Sequence, residues 1–472
     1  MGVAVKRFLS TLSVWFFLLG ADAFSWDRAA LDPATPDSLA ERVRQLEAET
    51  AALRAELQAS RDGGLPQAGV PVSASMTDTV ATAEEGFMSL DELRGEMKKL
   101  VWTKGDYKIV PYGSLWGSAI YDTRRTSPGA YAFFVLSPDR QGEDQFIVDT
   151  RRTRLGIDIT GPQIPLFHCA NSRGRVEIDF TGEFVTENRA AVLLRHAYAE
   201  VYDDDFRLLA GQTSDLISPL IPHTVSYSVG WGGGNIGYRR MQIRYERHLS
   251  FSDQLQVTPA VAVCQNIIFD VAAGIGREST NWPIVEGRLG FTLGPRGTGE
   301  KPITFGVSAH VGEQGFDFPA VGPLPAIDDA RVTTWSFNAD LVVPITDRMS
   351  FQAELFLGDD LSTFLGGSLE GVDFTTREAI YSAGGWCELG FDWTPSVHSY
   401  VGYSVDDPRN SDLVYTPARD LRTYNQFLFA NVIYDVTQKL KLGAEVTWWK
   451  THWLGLAPGD AVRFEFAGQY EF

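Results

Sequence analysis

The sequence of 472 residues has no run of 18 consecutive apolar residues, which excludes a helical membrane span. Cysteine is scarce: Cys169, Cys264 and Cys387 are an odd set without metal-ligand spacing, so they read as isolated thiols, buried or facing an apolar medium. Positive charge is in the minority, with 41 Lys and Arg against 60 Asp and Glu, and the net charge of −19 argues against a nucleic-acid partner. The seven histidines (His168, His196, His223, His248, His310, His398 and His452) show no grouping with a serine nucleophile motif. A Ser/His/acid hydrolase therefore lacks its catalytic set, and neither an enzyme nor a cofactor is expected. Helical periodicity is missing from about residue 110 onward.

The N-terminal part is organised differently. Lys6 and Arg7 precede an apolar segment, Phe8 to Leu19, and then Ala21-Asp22-Ala23. That pattern predicts a signal peptide over 1–23, and a retained anchor is disfavoured by the shortness of the apolar segment. A polar segment and a short coiled coil are predicted over 24–60. In "DSLAERVRQLEAETAALRAELQAS" (37–60), Leu39, Leu46 and Leu53 fall seven apart, with Val43, Thr50 and Leu57 between them. A solitary amphipathic helix is the other reading. Residues 61–88 are Gly-, Pro-, Ser- and Thr-rich and read as a flexible linker. A short periplasmic helix is predicted over 89–104, opening on a capping box from Ser89 to Glu92.

From 105 to 472 the pattern has a period of two. "RVEIDF" (175–180), "RMQIRYE" (240–246), "ITFGVSAHV" (303–311), "FQAELFL" (351–357) and "LKLGAEVTW" (440–448) alternate apolar with polar, and with weaker runs they make about 16 strands. The connections alternate between long (122–147, 213–236, 264–281, 312–332, 358–381, 405–422, 450–460) and short (203–205, 247–253, 344–348, 394–397, 435–439). A membrane barrel with tight periplasmic turns and long outer loops produces that asymmetry. Side chains cannot fill the lumen of so wide a barrel, so the apolar parity must face lipid and the polar parity must face water. The predicted fold is all-β: a 16-stranded antiparallel transmembrane β-barrel in the outer membrane of a Gram-negative-type cell, with an N-terminal periplasmic coiled coil. The final stretch "AVRFEFAGQYEF" (461–472) would close the cylinder against the strand near "GSLWGSAIY" (113–121).

Charge on the inward parity is uneven. Early strands supply Arg152, Arg154, Arg175, Arg195, Arg207, Arg240, Arg244 and Arg288; later ones supply acids, among them Glu354, Glu388 and Glu445. Guanidinium is a permanent cation with a planar fork suited to carboxylate and phosphate, so an arginine wall attracts small anions. Part of the set is expected to be neutralised by neighbouring acids. The unpaired remainder is sought among Arg154, Arg195, Arg240 and Arg244. The long, Pro- and Gly-containing loop 213–237 has the apolar content of a segment packed inside the barrel, or of one engaged at a subunit interface.

"TRLGIDI" (153–159), "GRVEIDF" (174–180), "LLRHAYAEV" (193–201), "LLAGQTSDLISP" (208–219), "RRMQIRYE" (239–246), "GYSVDDP" (402–408) and "NQFLFANVIYDVTQKLKLGAEV" (425–446) appear in an order that resembles the DcaP-like outer-membrane porins. The resemblance implies a homotrimer in lipid and lipopolysaccharide, passing small hydrophilic anions such as dicarboxylates. It matches Arg154, Arg195, Arg240 and Arg244 to arginines of the family's motifs. The stretch 264–380 aligns poorly, and "GQTSDLISP" lacks an aromatic associated with the family. A phosphate-selective porin and a structural barrel linked to the cell wall are the other functions these residues allow.

Overall fold

A computed structural model describes residues 102–182, 190–267, 277–278, 280–297, 299–320, 322–417 and 419–472. The predicted signal peptide, coiled coil, linker and residues 89–101 of the predicted helix lie outside them. Trp102–Lys104 is a short strand antiparallel to Tyr107–Ile109.

Sixteen antiparallel strands close into one barrel. They are β1 (Tyr107–Asp122), β2 (Gln145–Asp149 and Arg154–Thr160, broken at 150–153), β3 (Asn171–Asp179), β4 (Leu193–Tyr202), β5 (Phe206–Ser214) and β6 (Arg239–Arg247, continued by Leu249–Ser252). Next come β7 (Leu255–Cys264), β8 (Ile284–Leu293), β9 (Ile303–Phe318), β10 (Ile327–Thr346), β11 (Met349–Asp359) and β12 (Tyr381–Thr394). The last four are β13 (Val397–Pro408), β14 (Arg422–Asp435), β15 (Leu440–Trp453) and β16 (Leu456–Glu471). Each pairs with its sequence neighbours, and β16 returns to β1 in register from Ser114↔Glu471 to Asp122↔Arg463. At the seam Gly113 and Phe472 exchange backbone hydrogen bonds of 3.2 and 3.1 Å.

The two faces invert the usual burial rule. Leu115, Phe146, Ile243, Val263, Val307, Leu355, Leu428 and Phe466 stand exposed on the outside, whereas Glu177, Gln242, Asp340, Glu388, Glu445 and Glu465 are buried inside. Water would penalise that arrangement; lipid around the belt and polar partners within the lumen satisfy it. Trp393, Tyr245, Tyr434 and Phe472 are exposed near strand ends, at the levels where interfacial aromatics sit.

Two predicted loops turn out to be strand. Residues 450–460 form a tight β15–β16 hairpin around Leu454–Gly455, with Gly455 at φ +78°. The connection placed at 312–332 shrinks to 319–326 because β9 and β10 run on past the barrel rim, paired from Thr304↔Val342 to Phe318↔Ile327. Part of the inner wall is also apolar, against the expectation of a uniformly polar lumen. Phe427, Phe429 and Trp449 face inward and bury Ala132 and Val135 of the first loop, while Phe356, Ala262 and Cys264 pack on Leu216, Ile217, Phe364 and Ile236. Infolded loops need an apolar bed, and those side chains supply it.

Candidate functional site

Three connections fold into the lumen: 123–144, 215–238 and 360–380. Tyr131 and Phe133 from the first, Val229 and Trp231 from the second, and Leu365 and Leu369 from the third share one apolar cluster. Polar wall residues fix them. Asn425 Nδ2 donates to the carbonyls of Phe133 and Gly232, both at 2.7 Å, so one amide joins two loops to β14. Arg422 donates to Ser368 O at 2.6 Å and pairs with Glu370.

The 215–238 segment is attached in a regular manner. Asp215 at its entry forms a buried ion pair with Arg240 of β6 at 2.7 Å. Backbone N–H groups then donate to inward carboxylates in chain order: Leu216 to Glu286 of β8 (2.6 Å), Leu220 to Glu354 of β11 (2.8 Å) and His223 to Glu388 of β12 (2.8 Å). Val225 and Ser226 both donate to Glu445 of β15, at 2.7 and 3.3 Å. The Tyr227 hydroxyl ends the run on Asp179 of β3 at 3.0 Å. Of the two placements considered for this loop, the interior is the one observed. Pro219 and Pro222 suit it, because a proline nitrogen has no hydrogen to leave unpaired in the lumen.

The arginines divide by partner. Arg175 is held by Asp158 (2.6 and 2.9 Å), Arg195 by Glu177 and Asp179 (2.7 Å each), Arg207 by Glu200 (2.6 Å) and Glu246 (3.1 Å), and Arg288 by Asp340 (2.7 Å). Arg244 donates to Gln242 Oε1 at 2.8 Å and lies 3.5 Å from Glu246, whose carboxylate Arg207 already uses. Arg152 donates to the Val225 carbonyl and lies over the Trp116 ring at 4.0 Å. Among the described residues no carboxylate lies within ion-pair distance of Arg152 or Arg154, and Nε of Arg154 is buried without a hydrogen-bond partner. Arg239, which alternation alone did not single out, shares that condition at Nε and Nη2 and lies beside the Tyr238 and Trp231 rings.

Two cavities adjoin the loop. One of about 510 Å³ is lined by Trp116, Arg152, His223, Tyr400, Lys441 and Gln469 among others. His223 stacks on Tyr400 there, with ring centroids 4.3 Å apart. The other, about 210 Å³, lies against the opposite part of the loop and is lined by Asp215, Leu220, Trp231, Asn235, Arg239 and Arg244 among others. Among the described residues no cluster of His, Cys, Asp and Glu could hold a metal ion.

The sequence matches no protein-family model and no curated protein. Among solved structures, the outer-membrane channel DcaP of Acinetobacter baumannii is similar over 78% of this chain and 99% of that one, at 19% identity and a TM-score of 0.62. OprB of Pseudomonas putida is similar over 80% and 96%, at 11% identity and a TM-score of 0.49, and OmpT of Vibrio cholerae over 79% and 99%, at 12% and 0.48. The likeness to the DcaP channel is one of fold, and it agrees with the resemblance drawn from the sequence motifs.

Proposed function

We propose that this barrel is an outer-membrane porin through which small hydrophilic solutes diffuse passively, biased toward anions of the dicarboxylate kind. It has no catalytic role and assembles as a homotrimer in lipid and lipopolysaccharide. The fold it shares with the DcaP channel supports the general reading. One observation carries the anion bias: the carboxylates on the β8–β15 side are engaged by loop backbone, while on the β2–β6 side Arg152 and Arg154 have no acidic partner among the described residues. Beyond Asp215, which is itself paired, residues 216–238 contain no carboxylate. The larger cavity between loop and wall is lined by Arg152 and by Lys441 with its partner Asp435, and by no other carboxylate among the described residues, although the whole chain carries −19.

Zero-current potentials of the purified protein in planar bilayers test the proposal. Under a tenfold KCl gradient the sign should report anion preference, and R152Q/R154Q should move the potential toward the cation side. Cation preference in the wild type that those replacements leave unchanged would refute the bias. A barrel that inserts without carrying current would refute the porin reading itself.

A further inference from the structure

The inward glutamates of the later strands do not stand free in the lumen. Glu286, Glu354, Glu388 and Glu445 each spend at least one carboxylate oxygen on a backbone N–H of residues 216–226, spaced along the wall from β8 to β15. We propose that these four are positioning residues forming an acid-released clamp: ionised, they hold the 215–238 loop against the wall; protonated, they let it swing into the lumen and interrupt conduction. The inference rests on the porin reading above.

The chemistry is that of charge-assisted hydrogen bonds. A carboxylate accepting backbone N–H groups binds them more strongly than the neutral acid does, so each proton taken up weakens one attachment. The surroundings differ from site to site. Glu286 lies near the Asp215–Arg240 pair and Arg244, with Ala262 and His310 as its cross-strand partners and the Cys264 thiol beside it. Glu354 has Asp340 as its cross-strand partner, which Arg288 engages, and also accepts from Trp386 Nε1. Glu388 is shared with the His223 ring and Gln352, and Glu445 faces Glu465, Asn431 and Thr447, with Arg463 bonded to Glu465. None of the four forms an ion pair with arginine or lysine among the described residues; His223 against Glu388 is the one cationic candidate. Between residues 216 and 226 the loop's backbone N–H attachments therefore depend on the charge of the carboxylates themselves, while its carbonyls at His223 and Val225 are held by Asn431 and Arg152. Since the loop already lies against the wall, release can only carry it inward.

The structure also offers a tether. A Cβ built on Gly443 of β15 would lie 3.8 Å from Val225 Cβ, the separation of a disulfide. The experiment compares single-channel records of wild type, E354Q/E445Q, and V225C/G443C in oxidised and reduced form, in a C169S background that removes the exposed thiol. The expected wild-type result is stable current near neutral pH and step-like closures as the bath is lowered to about pH 4, where carboxylates ordinarily protonate. E354Q/E445Q should close at neutral pH, with about a tenfold larger closed fraction. The oxidised tether should suppress the acid closures, and reduction should restore them. Acid closures that persist equally in the oxidised tether, or wild-type current that is steady across the range, would overturn the clamp while leaving the porin reading in place. Absence of current at every pH would overturn the porin reading instead.

Discussion

Arg463, fully buried in β16, shows how tightly the seam and the first infolded loop are joined. Its guanidinium bonds Asp122 of β1 (3.1 and 3.3 Å), Glu465 of its own strand (3.3 Å) and the carbonyls of Gly129 (2.9 Å) and Ala130 (3.0 Å). Arg463→Met keeps the volume and removes every one of these bonds. Asp122 retains Thr126 and Gln145 as donors, but both carboxylates lose their cation inside a buried site. Breaking one side of a buried ion pair costs about 3–5 kcal/mol. Within the first loop Thr126–Pro128 pairs antiparallel with Ala132–Val135, and the latter strand stays fixed, because Asn425 still holds Phe133 and Thr451 still accepts from the Val135 N–H at 2.9 Å. The loss should therefore be local: a barrel that is less stable and has a loosened Gly129–Ala130 turn. Equilibrium unfolding by guanidinium in detergent micelles, followed by tryptophan fluorescence, measures the stability, and single-channel noise measures the turn. In a D122N/E465Q background the same replacement should cost at least about 2 kcal/mol less, since no uncompensated charge remains. A wild-type-like unfolding midpoint in R463M, or an equal loss in both backgrounds, would refute the assignment of this arginine as the charge partner of both carboxylates.

Two other positions give sharp tests. Gly234 sits at φ +127°, and a Cβ there would lie 2.3 Å from Ser404 Oγ and 2.6 Å from two wall carbonyls, so Gly234→Ala should unseat the returning limb of the loop at a cost of about 1–3 kcal/mol. Channel noise should rise while β-sheet circular dichroism is unchanged; a quiet, wild-type record would count against the close packing. The Phe472 ring covers Gly113, where a Cβ would fall 2.6 Å from its Cζ. Deleting Phe472 should lower the yield of heat-modifiable folded barrel and leave the conductance of inserted molecules unaltered, and a normal yield would contradict its role in the seam.

Alternation made the barrel legible because its cause is local. A strand wetted on one side must repeat every two residues, and "FQAELFL" shows which side without any knowledge of its partners. Loop lengths were misjudged for the same reason: where β9 and β10 run on beyond their other neighbours, and where β15 turns into β16, the apolar alternation fails, so the β9–β10 extension and the β15–β16 hairpin read as loops. The short run "NQFLFANVIY" already contained the inner apolar bed, with Phe427 and Phe429 on the parity of Asn425 and Asn431. Nothing in that run says why an aromatic should face the lumen, because the reason is Ala132 and Val135, almost three hundred residues earlier.

The charges show the same boundary more clearly. Parity places Glu354, Glu388 and Glu445 on the inner face, and the same parity would place them there whether they met water, arginine or backbone. What decides among those is a partner that carries no sequence signature at all, since every residue except proline has an N–H. The loop's composition contains only the complementary hint: "LISPLIPHTVSYS" is too apolar for solvent and has too few side-chain donors and acceptors to satisfy a charged wall by itself. Laid inside a barrel, such a segment is held largely by its main chain, to which the His223 ring and the Tyr227 hydroxyl add side-chain bonds, and the wall supplies acceptors at intervals along its path. Arg195 and Arg240 follow from the same geometry. One pairs with Asp179, which receives the loop's Tyr227, and the other with Asp215, where the loop begins. The four motif arginines thus divide: Arg240 anchors the start of the loop, Arg195 pairs with the carboxylate that receives Tyr227 midway along it, Arg244 donates to Gln242, and Arg154, like Arg152, has no acidic partner among the described residues. A porin reading that counted inward charges by type would credit the acids to the passage. The hydrogen bonds place those acids beneath the loop backbone, whose N–H dipoles stabilise their charge without cancelling it, so the loop lies between the acids and the side of the passage where Arg152 stands.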